Sequence, residues 1–224
     1  MEMENLIKYC IFDLDGTLLD TLGGIMYHLN STLTAEGLLS INKDECRRFI
    51  GNGARLLVSR AANKSGGCGD EQLERILQTY NAAYNSLPLY YTEPYQGITE
   101  LISELHNREF HLSVVTNKPQ NTAEQLIKHF FADKFDYIMG GREGARLKPD
   151  PKDSLDVLAK MGGTLGECAF IGDTSVDIDT AKRMGAALAV GVTWGFRDES
   201  ELIDAGADAV VHNASELREV LMKL

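Results

Sequence analysis

Short apolar runs alternate with longer helical patterns through most of this sequence, and that alternation constrains the fold more than any other feature. Runs that are apolar throughout, rather than at every second residue, are typical of parallel strands buried on both faces. The runs are IKYCIF from Ile7, HLSVVT from His111, FDYIMG from Phe135, CAFIG from Cys168, ALAVGV from Ala187 and a weaker DAVVH from Asp208. Strands separated by helices in this way predict a doubly wound α/β sheet of the Rossmann-like kind.

Helical patterns fill the intervals between these predicted strands. They cover approximately Gly97–Asn107, Gln120–Phe131, Pro151–Met161, Ser175–Met184 and Ser215–Met222. Pro119 and Pro151 stand where helices are expected to start, and Gly185 stands where one is expected to stop. The lengths of these patterns fit the crossover helices that parallel strands require.

Residues 18–95 break the rhythm, because they contain helical patterns and no convincing strand. The patterns are Thr21–Glu36, Lys43–Phe49, Ala54–Ala62 and Asp70–Leu87. The turn-rich stretch NKSGGCGD at residues 63–70 separates the last two. We therefore predict an α/β core formed by residues 1–17 and 96–224, with a helical bundle inserted at 18–95 and hinges near Asp20 and within 89–97.

Composition limits the partners of the chain. The 224 residues carry a net charge of −11, from 33 acidic and 22 basic side chains, which argues against nucleic acid and against an anionic membrane surface. The segment MEMENLIKYC lacks the apolar run of a secretory signal, and no stretch is long and apolar enough for a membrane span. Four cysteines without C-x-x-C spacing fit a reducing compartment, so a cytoplasmic location is expected.

Polar residues gather at the ends of the predicted strands. The segments are Asp13-Leu14-Asp15-Gly16-Thr17, Thr116-Asn117-Lys118 and Gly172-Asp173-Thr174-Ser175-Val176-Asp177, and Lys148 precedes the helix that leads to the fourth strand. In open α/β sheets, ligands bind outside the carboxyl ends of the strands, near the point where the strand order reverses. We therefore expect these side chains to meet at one edge of the sheet.

The carboxylates in this set predict a divalent cation. Asp13, Asp15 and Asp173, with Asp177 behind them, offer the oxygen ligands that Mg²⁺ prefers. The cation would relieve the repulsion between the acids and shield an approaching phosphate. Asp177 has a second interpretation, in which it only caps or solvates the start of the following helix.

The same set suits phosphoryl transfer. An aspartate beside a metal can act as a nucleophile and form an aspartyl-phosphate that water later hydrolyses. Thr116 and Lys148 would bind the phosphoryl oxygens, and Asp15 would protonate the leaving oxygen and then activate water. Asn117, a further candidate for phosphate or substrate binding, and Lys118 could both support the phosphate site, although helix capping explains TNKPQNTAEQ nearly as well.

These four motifs, in this order and at strand ends, resemble the haloacid dehalogenase superfamily of Mg²⁺-dependent phosphohydrolases. The resemblance covers essentially the whole chain and implies that Asp13 is the nucleophile and Asp15 the acid/base. It also implies that the protein ligands of the metal are Asp13, Asp173 and the backbone carbonyl of Asp15, with Asp177 as a supporting ligand. The long interval between Asp13 and Thr116 implies that the inserted bundle is the family's cap, placed after the first strand.

Within the superfamily, FIGNGARLLVSRA, YTEPYQGI and GVTWGFRD resemble the phosphoglycolate phosphatase branch. Gly51, Asn52 and Arg55 lie at a glycine-flanked helix start, whose free N–H groups and guanidinium suit a small carboxylate. The expected substrate is therefore a small phosphorylated metabolite, with 2-phosphoglycolate as the first candidate. The expected assembly is a monomer or a homodimer.

Several alternatives remain open within the same superfamily. A β-phosphoglucomutase-like phosphosugar mutase would share every core motif, although Ile25 stands where such mutases usually carry a hinge histidine. Other phosphatase substrates, such as a sugar phosphate, a nucleotide or pyrophosphate, are equally compatible with the core. Asp15 argues against dehalogenase chemistry, and the presence of every core motif argues against a binding protein that has lost activity.

Overall fold

A computed structural model describes residues 7–222, and it contains the predicted six-stranded parallel sheet. Its strands are β1 (Tyr9–Phe12), β4 (His111–Pro119), β5 (Tyr137–Gly141), β6 (Cys168–Gly172), β7 (Leu188–Val192) and β8 (Ala209–Val211). Two further strands, β2 (Leu19–Asp20) and β3 (Glu93–Pro94), form a separate antiparallel pair. The start of the segment interpreted above as lacking a secretory signal, residues 1–6, lies outside the described residues.

The order of the six strands is β5-β4-β1-β6-β7-β8, so that β1 lies at the centre with β4 on one side and β6 on the other. All five pairings are parallel. The chain proceeds in opposite directions across the sheet from β1, which makes the carboxyl end of β1 the topological switch point. This is the edge at which the sequence places Asp13 and Asp15.

Helices cover both faces of the sheet. They are α5 (Ile98–Asn107), α6 (Gln120–Phe131) and α10 (Ala214–Met222) on one face, and α7 (Lys152–Lys160), α8 (Ser175–Met184) and α9 (Glu199–Asp204) on the other. Successive residues of β1 alternate between the two hydrophobic clusters, since Cys10 and Phe12 join one and Ile11 joins the other. Burying a side chain such as Phe12 contributes about 1.5–3 kcal/mol, so the layers fix the strand ends firmly.

The inserted segment forms a helical cap with a hydrophobic cluster of its own. Its helices are α1 (Leu22–Ala35), α2 (Lys43–Phe49), α3 (Ala54–Lys64) and α4 (Asp70–Ser86). They share one cluster, which includes Leu29, Val58 and Ile76, and Phe196 from the core packs into the same cluster. No helix among residues 7–222 meets the length and hydropathy that a membrane crossing requires.

Four elements differ from the sequence-based expectation. The interval 18–95 was expected to lack strands, but β2 and β3 pair there, with Leu19 opposite Pro94, and tie together the two chain crossings into the cap. Two residues are too few to show a strand pattern. Helix α9 was also missed, and β4 runs on to Pro119 because its register with β5 shifts between Val115 and Pro119. Such an irregularity re-aims side chains, and it carries Thr116, Asn117 and Lys118.

Candidate active site

Asp13 follows directly after β1 at the switch point of the sheet. Its backbone N–H donates to the carbonyl of Ile171 in β6, at 2.9 Å, so the residue continues the parallel ladder by one position. Its side chain is largely buried. The strand pairing and the burial together hold the Asp13 carboxylate at the carboxyl end of β1, the strand that lies between β4 and β6.

Lys148 lies between two carboxylates. Its Nζ is 2.7 Å from Oδ1 of Asp13 and 2.7 Å from Oδ1 of Asp177, and its side chain is 3% exposed. Burial lowers the pKa of Lys148, but the charges of Asp13 and Asp177 together outweigh burial and raise it. Lys148 therefore stays protonated and supplies a fixed positive charge beside Asp13.

Asn117 holds the loop that carries Lys148. Its Oδ1 accepts from the backbone N–H of Lys148 at 2.8 Å, and its Nδ2 donates to the Lys148 carbonyl at 3.2 Å. The same Nδ2 also donates to the carbonyl of Gly51 in the cap, at 3.1 Å. Asn117 also lines a cavity between the core and the cap, but these contacts make it a support for Lys148 and for the cap.

Asp173 is enclosed by backbone and hydroxyl donors. Thr17 Oγ1 donates to its Oδ1 at 2.9 Å, and the backbone N–H of Phe196 donates to its Oδ2 at 2.8 Å. Gly16 is required beside it, because Gly16 has φ of +85° and a Cβ at that position would collide with the Asp173 carboxylate. The turn that follows Asp13 therefore packs directly on the second acidic motif.

Asp177 serves two purposes. Its Oδ2 accepts from the backbone N–H of Thr174 at 3.0 Å and from Thr174 Oγ1 at 2.7 Å, which is the capping interaction that the sequence allowed. Its Oδ1 binds Lys148. Capping and participation in the charged cluster are thus compatible roles, and the residue fulfils both.

Asp13 and Asp173 in this cluster resist ionisation. Burial raises the pKa of Asp13 from its ordinary 3.8 to about 6, with Asp177 and Asp15 adding to the rise and Lys148 opposing it. Burial also raises the pKa of Asp173 well above its ordinary range, with repulsion from Asp177 and Asp13 as further causes. One lysine does not neutralise this group of carboxylates, and a divalent cation would do so.

The donor set fits a hard divalent cation. Asp13, Asp173 and Asp177 each offer a carboxylate oxygen, and these oxygens lie within 4.8 Å of one another. Oxygen ligands at this spacing suit Mg²⁺, which usually keeps several of its waters. The carboxylate of Asp15 is directed elsewhere, so a metal contact from Asp15 would have to come from its backbone carbonyl.

The Asp15 carboxylate pairs with Lys118, which the sequence predicted only as a possible supporting group. Lys118 Nζ lies 2.8 Å from Oδ1 and 3.2 Å from Oδ2 of Asp15, and 2.9 Å from the hydroxyl of Tyr84 in α4. The signal in the sequence was the position of Lys118, two residues after Thr116 at the same strand end. Helix capping explains TNKPQNTAEQ nearly as well, so the sequence did not decide between the two roles.

A cavity of about 60 Å³ lies between the core and the cap. From the core, Asp13, Asp15, Thr116, Asn117 and Lys118 line it. From the cap, its lining residues come from α1, from the loop before α3, from α3 itself and from α4: Ile25, Ile50, Gly51, Gly53, Ala54, Leu57, Tyr80, Asn81, Tyr84 and Asn85. The small volume restricts this closed arrangement to a small substrate.

The cap residues predicted from the sequence do not all reach this cavity. Gly51 lines it, whereas Asn52 and Arg55 do not. The Arg55 guanidinium pairs with Glu74 on α4, and its side chain is 63% exposed. Arg55 is only one residue into α3, and its position on the helix turns it toward α4 and solvent. The helix start at α3 thus brings backbone groups, but no cation, to the cavity.

Comparison with known proteins agrees with this geometry. The family model of haloacid dehalogenase-like hydrolases matches residues 10–190. A phosphoglycolate phosphatase of Rhodospirillum rubrum is 32% identical over 220 residues, which cover 96% of this chain and 90% of the relative. A phosphoglycolate phosphatase of Agrobacterium fabrum is 30% identical and covers 100% of this chain and 96% of its own length.

The fold is shared with solved structures. A crystal structure from Lactobacillus delbrueckii subsp. bulgaricus superposes with a TM-score of 0.91 at 28% identity, covering 98% of this chain and 100% of that one. A parallel sheet with an acidic switch point beneath a helical cap defines a class of capped α/β hydrolases. The chain belongs to the haloacid dehalogenase-like hydrolase family, within which it is a phosphatase related to the phosphoglycolate phosphatases.

Proposed function

We propose that this protein is a Mg²⁺-dependent phosphatase that hydrolyses a small phosphate monoester, with 2-phosphoglycolate as the first candidate. The observation that carries the proposal is the buried cluster of Asp13, Lys148, Asp173 and Asp177 at the switch point of the sheet. The names of the relatives support the substrate class, and the small cavity supports a small substrate.

Asp13 is the nucleophile in this mechanism. Its carboxylate oxygen attacks phosphorus, the bond from phosphorus to the ester oxygen breaks, and an aspartyl-phosphate forms. Lys148, fixed beside Asp13, and the Thr116 hydroxyl, which lines the cavity, bind non-bridging oxygens of the phosphoryl group. A Mg²⁺ ion held by Asp13, Asp173 and Asp177 would supply charge neutralisation for the phosphoryl group.

Asp15 is the acid/base. In the first step its carboxyl group gives a proton to the departing ester oxygen. In the second step its carboxylate takes a proton from the water that attacks the aspartyl-phosphate. Asp15 lines the cavity, two residues beyond the nucleophile, and the cap over it limits access of water.

The proposal includes a location and partners. We expect a cytoplasmic protein, monomeric or homodimeric, whose partner is a small phosphorylated metabolite, with no nucleic-acid or membrane partner. The net charge of −11 supports the exclusion of polyanions, and four free thiols support a reducing compartment.

A panel of phosphorylated metabolites, ranked by kcat/KM in the presence of Mg²⁺, tests the function. We expect 2-phosphoglycolate to rank above sugar phosphates, nucleotides and pyrophosphate, and chelation by EDTA to remove the activity. Conversion of one phosphosugar isomer into another, without release of phosphate, would instead establish a mutase. Full activity in EDTA would contradict the metal requirement.

A further inference from the structure

The ammonium group of Lys118 connects the core to the cap at the acid/base. Its side chain is 3% exposed, and its Nζ reaches both carboxylate oxygens of Asp15, at 2.8 and 3.2 Å. The same atom donates to the hydroxyl of Tyr84, at 2.9 Å, and lies 4.3 Å from the centre of the Tyr84 ring. One buried cation thus joins Asp15 to an aromatic side chain of the cap.

The three residues come from three separate segments. Asp15 follows β1, Lys118 lies in the irregular end of β4, and Tyr84 is in the last turns of α4. The two core residues are next to each other whatever the cap does, because β1 and β4 are neighbours in the sheet. Only the contact with Tyr84 depends on α4 lying over the core.

The hydroxyl of Tyr84 is suited to accept a hydrogen bond from Lys118. Burial, and then the charge of Asp15, raise the pKa of Tyr84 well above its ordinary value, so its hydroxyl stays neutral. A neutral phenol accepts a hydrogen bond from an ammonium group, and its ring face also attracts a cation. The two interactions together limit where Lys118 Nζ can lie.

The position of Nζ in turn limits the orientation of Asp15. An aspartate at the edge of a cavity has several rotamers, and only some place its carboxyl group against a departing oxygen. Lys118 contacts both carboxylate oxygens and therefore restrains the whole group. Charge-assisted hydrogen bonds of this kind are stronger and more specific than neutral ones.

We propose that Lys118 and Tyr84 are positioning residues for Asp15, with Tyr84 completing the arrangement when α4 lies over the core. The inference rests on the proposed function, since it concerns the step in which the bond from phosphorus to the ester oxygen breaks. The electron pair of that bond goes to the ester oxygen, and the proton of the Asp15 carboxyl group joins it there. In this first step, which kcat/KM reports separately from the later hydrolysis of the aspartyl-phosphate, the orientation of Asp15 matters only when the leaving group needs that proton.

Two substrates of nearly equal size separate this role from general support of the fold. Ethyl phosphate must lose an alkoxide, which needs a proton, whereas acetyl phosphate loses acetate, which does not. Both are small phosphates of similar size, so we expect cap closure to be matched between them. Tyr84→Phe removes only the hydroxyl, and Tyr27→Phe is the matched control on an exposed cap tyrosine outside the cavity.

With Mg²⁺ present, we expect Tyr84→Phe to lower kcat/KM for ethyl phosphate about 10-fold, as for one lost hydrogen bond to a charged group. Its kcat/KM for acetyl phosphate should change less than about 2-fold, and Tyr27→Phe should match the wild type on both. Lys118→Met should lower kcat/KM for ethyl phosphate about 100-fold, within the range of general acid catalysis, and Lys118→Arg should restore part of it.

Equal losses on the two substrates, or no loss on ethyl phosphate, would overturn the inference. Tyr84→Phe alone decides the matter if a Lys118 variant does not fold, because that substitution keeps the ring in place. 2-Phosphoglycolate also loses an alkoxide and takes the place of ethyl phosphate if ethyl phosphate is not hydrolysed. A wild-type protein that hydrolyses none of the three phosphates would contradict the proposed function instead. The two failures are therefore distinguishable.

Discussion

Sequence motifs predicted site residues in two regions, at the carboxyl edge of the core sheet and on the side of the cap that faces the cavity. The structure brings the core residues together, but it does not bring all of the cap residues to the cavity. In the core, Lys148 lies 2.7 Å from Asp13 and from Asp177. In the cap, Arg55 pairs with Glu74 at the surface and does not line the cavity. Hydrogen bonds between neighbouring strands fix the positions of strand ends. The direction in which the first turn of a helix points its side chains depends instead on how the whole bundle packs on the core. Catalytic chemistry can thus be inferred from motifs in the core, and cap specificity needs the structure.

The sharpest test of the core side is removal of the proposed nucleophile. Asp13→Asn keeps the shape of the side chain but replaces the carboxylate by a neutral amide, which is a poor nucleophile, so kcat for phosphate release should fall about 10⁴-fold or more. The measurement is steady-state phosphate release with Mg²⁺ present. Asp133→Asn, at a solvent-exposed position of the α/β core domain, is the matched control and should retain wild-type activity. Residual activity within 10-fold of wild type would, on this scale, remove Asp13 from the mechanism.

Strand-end placement also explains how much of the site could be inferred without a structure. Asp13, Thr116 and Asp173 each follow an apolar run, and neighbouring parallel strands bring such positions together. Lys148 could be added because it precedes the helix that leads to β6. The order of the strands and the paired ends of the cap crossings, Leu19 and Pro94, could not be read from short patterns.

The sequence could not predict which cap residues reach the cavity, for a physical reason. Helical periodicity shows which face of a helix is buried, but not which neighbour covers it. The helical pattern therefore predicts that Leu57 and Tyr80 are buried. It does not predict whether they contact another helix or line the cavity. The partner of Arg55 was undetermined because Glu74 is 19 positions away, on another helix.

A second test asks whether repulsion between the buried carboxylates lowers the free energy of unfolding of the metal-free protein. The folded state raises the pKa of Asp13 to about 6 from 3.8, so it holds this proton more tightly than the unfolded chain does. That stabilising contribution is present below about pH 4 and is lost as pH rises through about 6. Between these values the free energy of unfolding should therefore fall, by up to about 3 kcal/mol for this proton.

Chemical denaturation of metal-free wild type and Asp13→Asn across this pH range isolates the contribution. Carboxylates whose pKa is lowered, such as Glu104 and Asp208, act in the opposite direction but are common to both proteins. The wild type should lose stability relative to the variant as pH rises, and Mg²⁺ should reduce the loss. Parallel pH profiles would show that the cluster is not strained.

A third test concerns a contact that joins the two regions. Arg197, in the core loop after β7, donates to the carbonyls of Arg47 at 2.8 Å, Arg48 at 3.2 Å and Ile50 at 2.7 Å, around the end of α2. A guanidinium is well suited to the unpaired carbonyls at a helix C-terminus. Arg197→Ala should favour an open cap and raise KM about 10-fold, as expected for the loss of charged hydrogen bonds.

The matched control for this variant is Arg183→Ala, at an exposed arginine on α8. Steady-state kinetics on 2-phosphoglycolate gives KM and kcat for both proteins. A larger rise in KM than fall in kcat, in Arg197→Ala only, would place the effect on closure of the cap. An unchanged KM would mean that cap docking does not depend on this contact.

The smallest effect is expected at Arg55, and it bears most directly on the difference between core and cap. The guanidinium is bound to Glu74, and both side chains are largely exposed, so the pair contributes at most about 1 kcal/mol to stability. Arg55→Ala should therefore change KM for 2-phosphoglycolate less than about 2-fold, the same as for ethyl phosphate, which has no carboxylate. A rise in KM confined to 2-phosphoglycolate would mean that Arg55 leaves Glu74 to bind the substrate carboxylate. In that case the sequence interpretation of the α3 start would be right about the cap, and the closed structure would show only its resting arrangement.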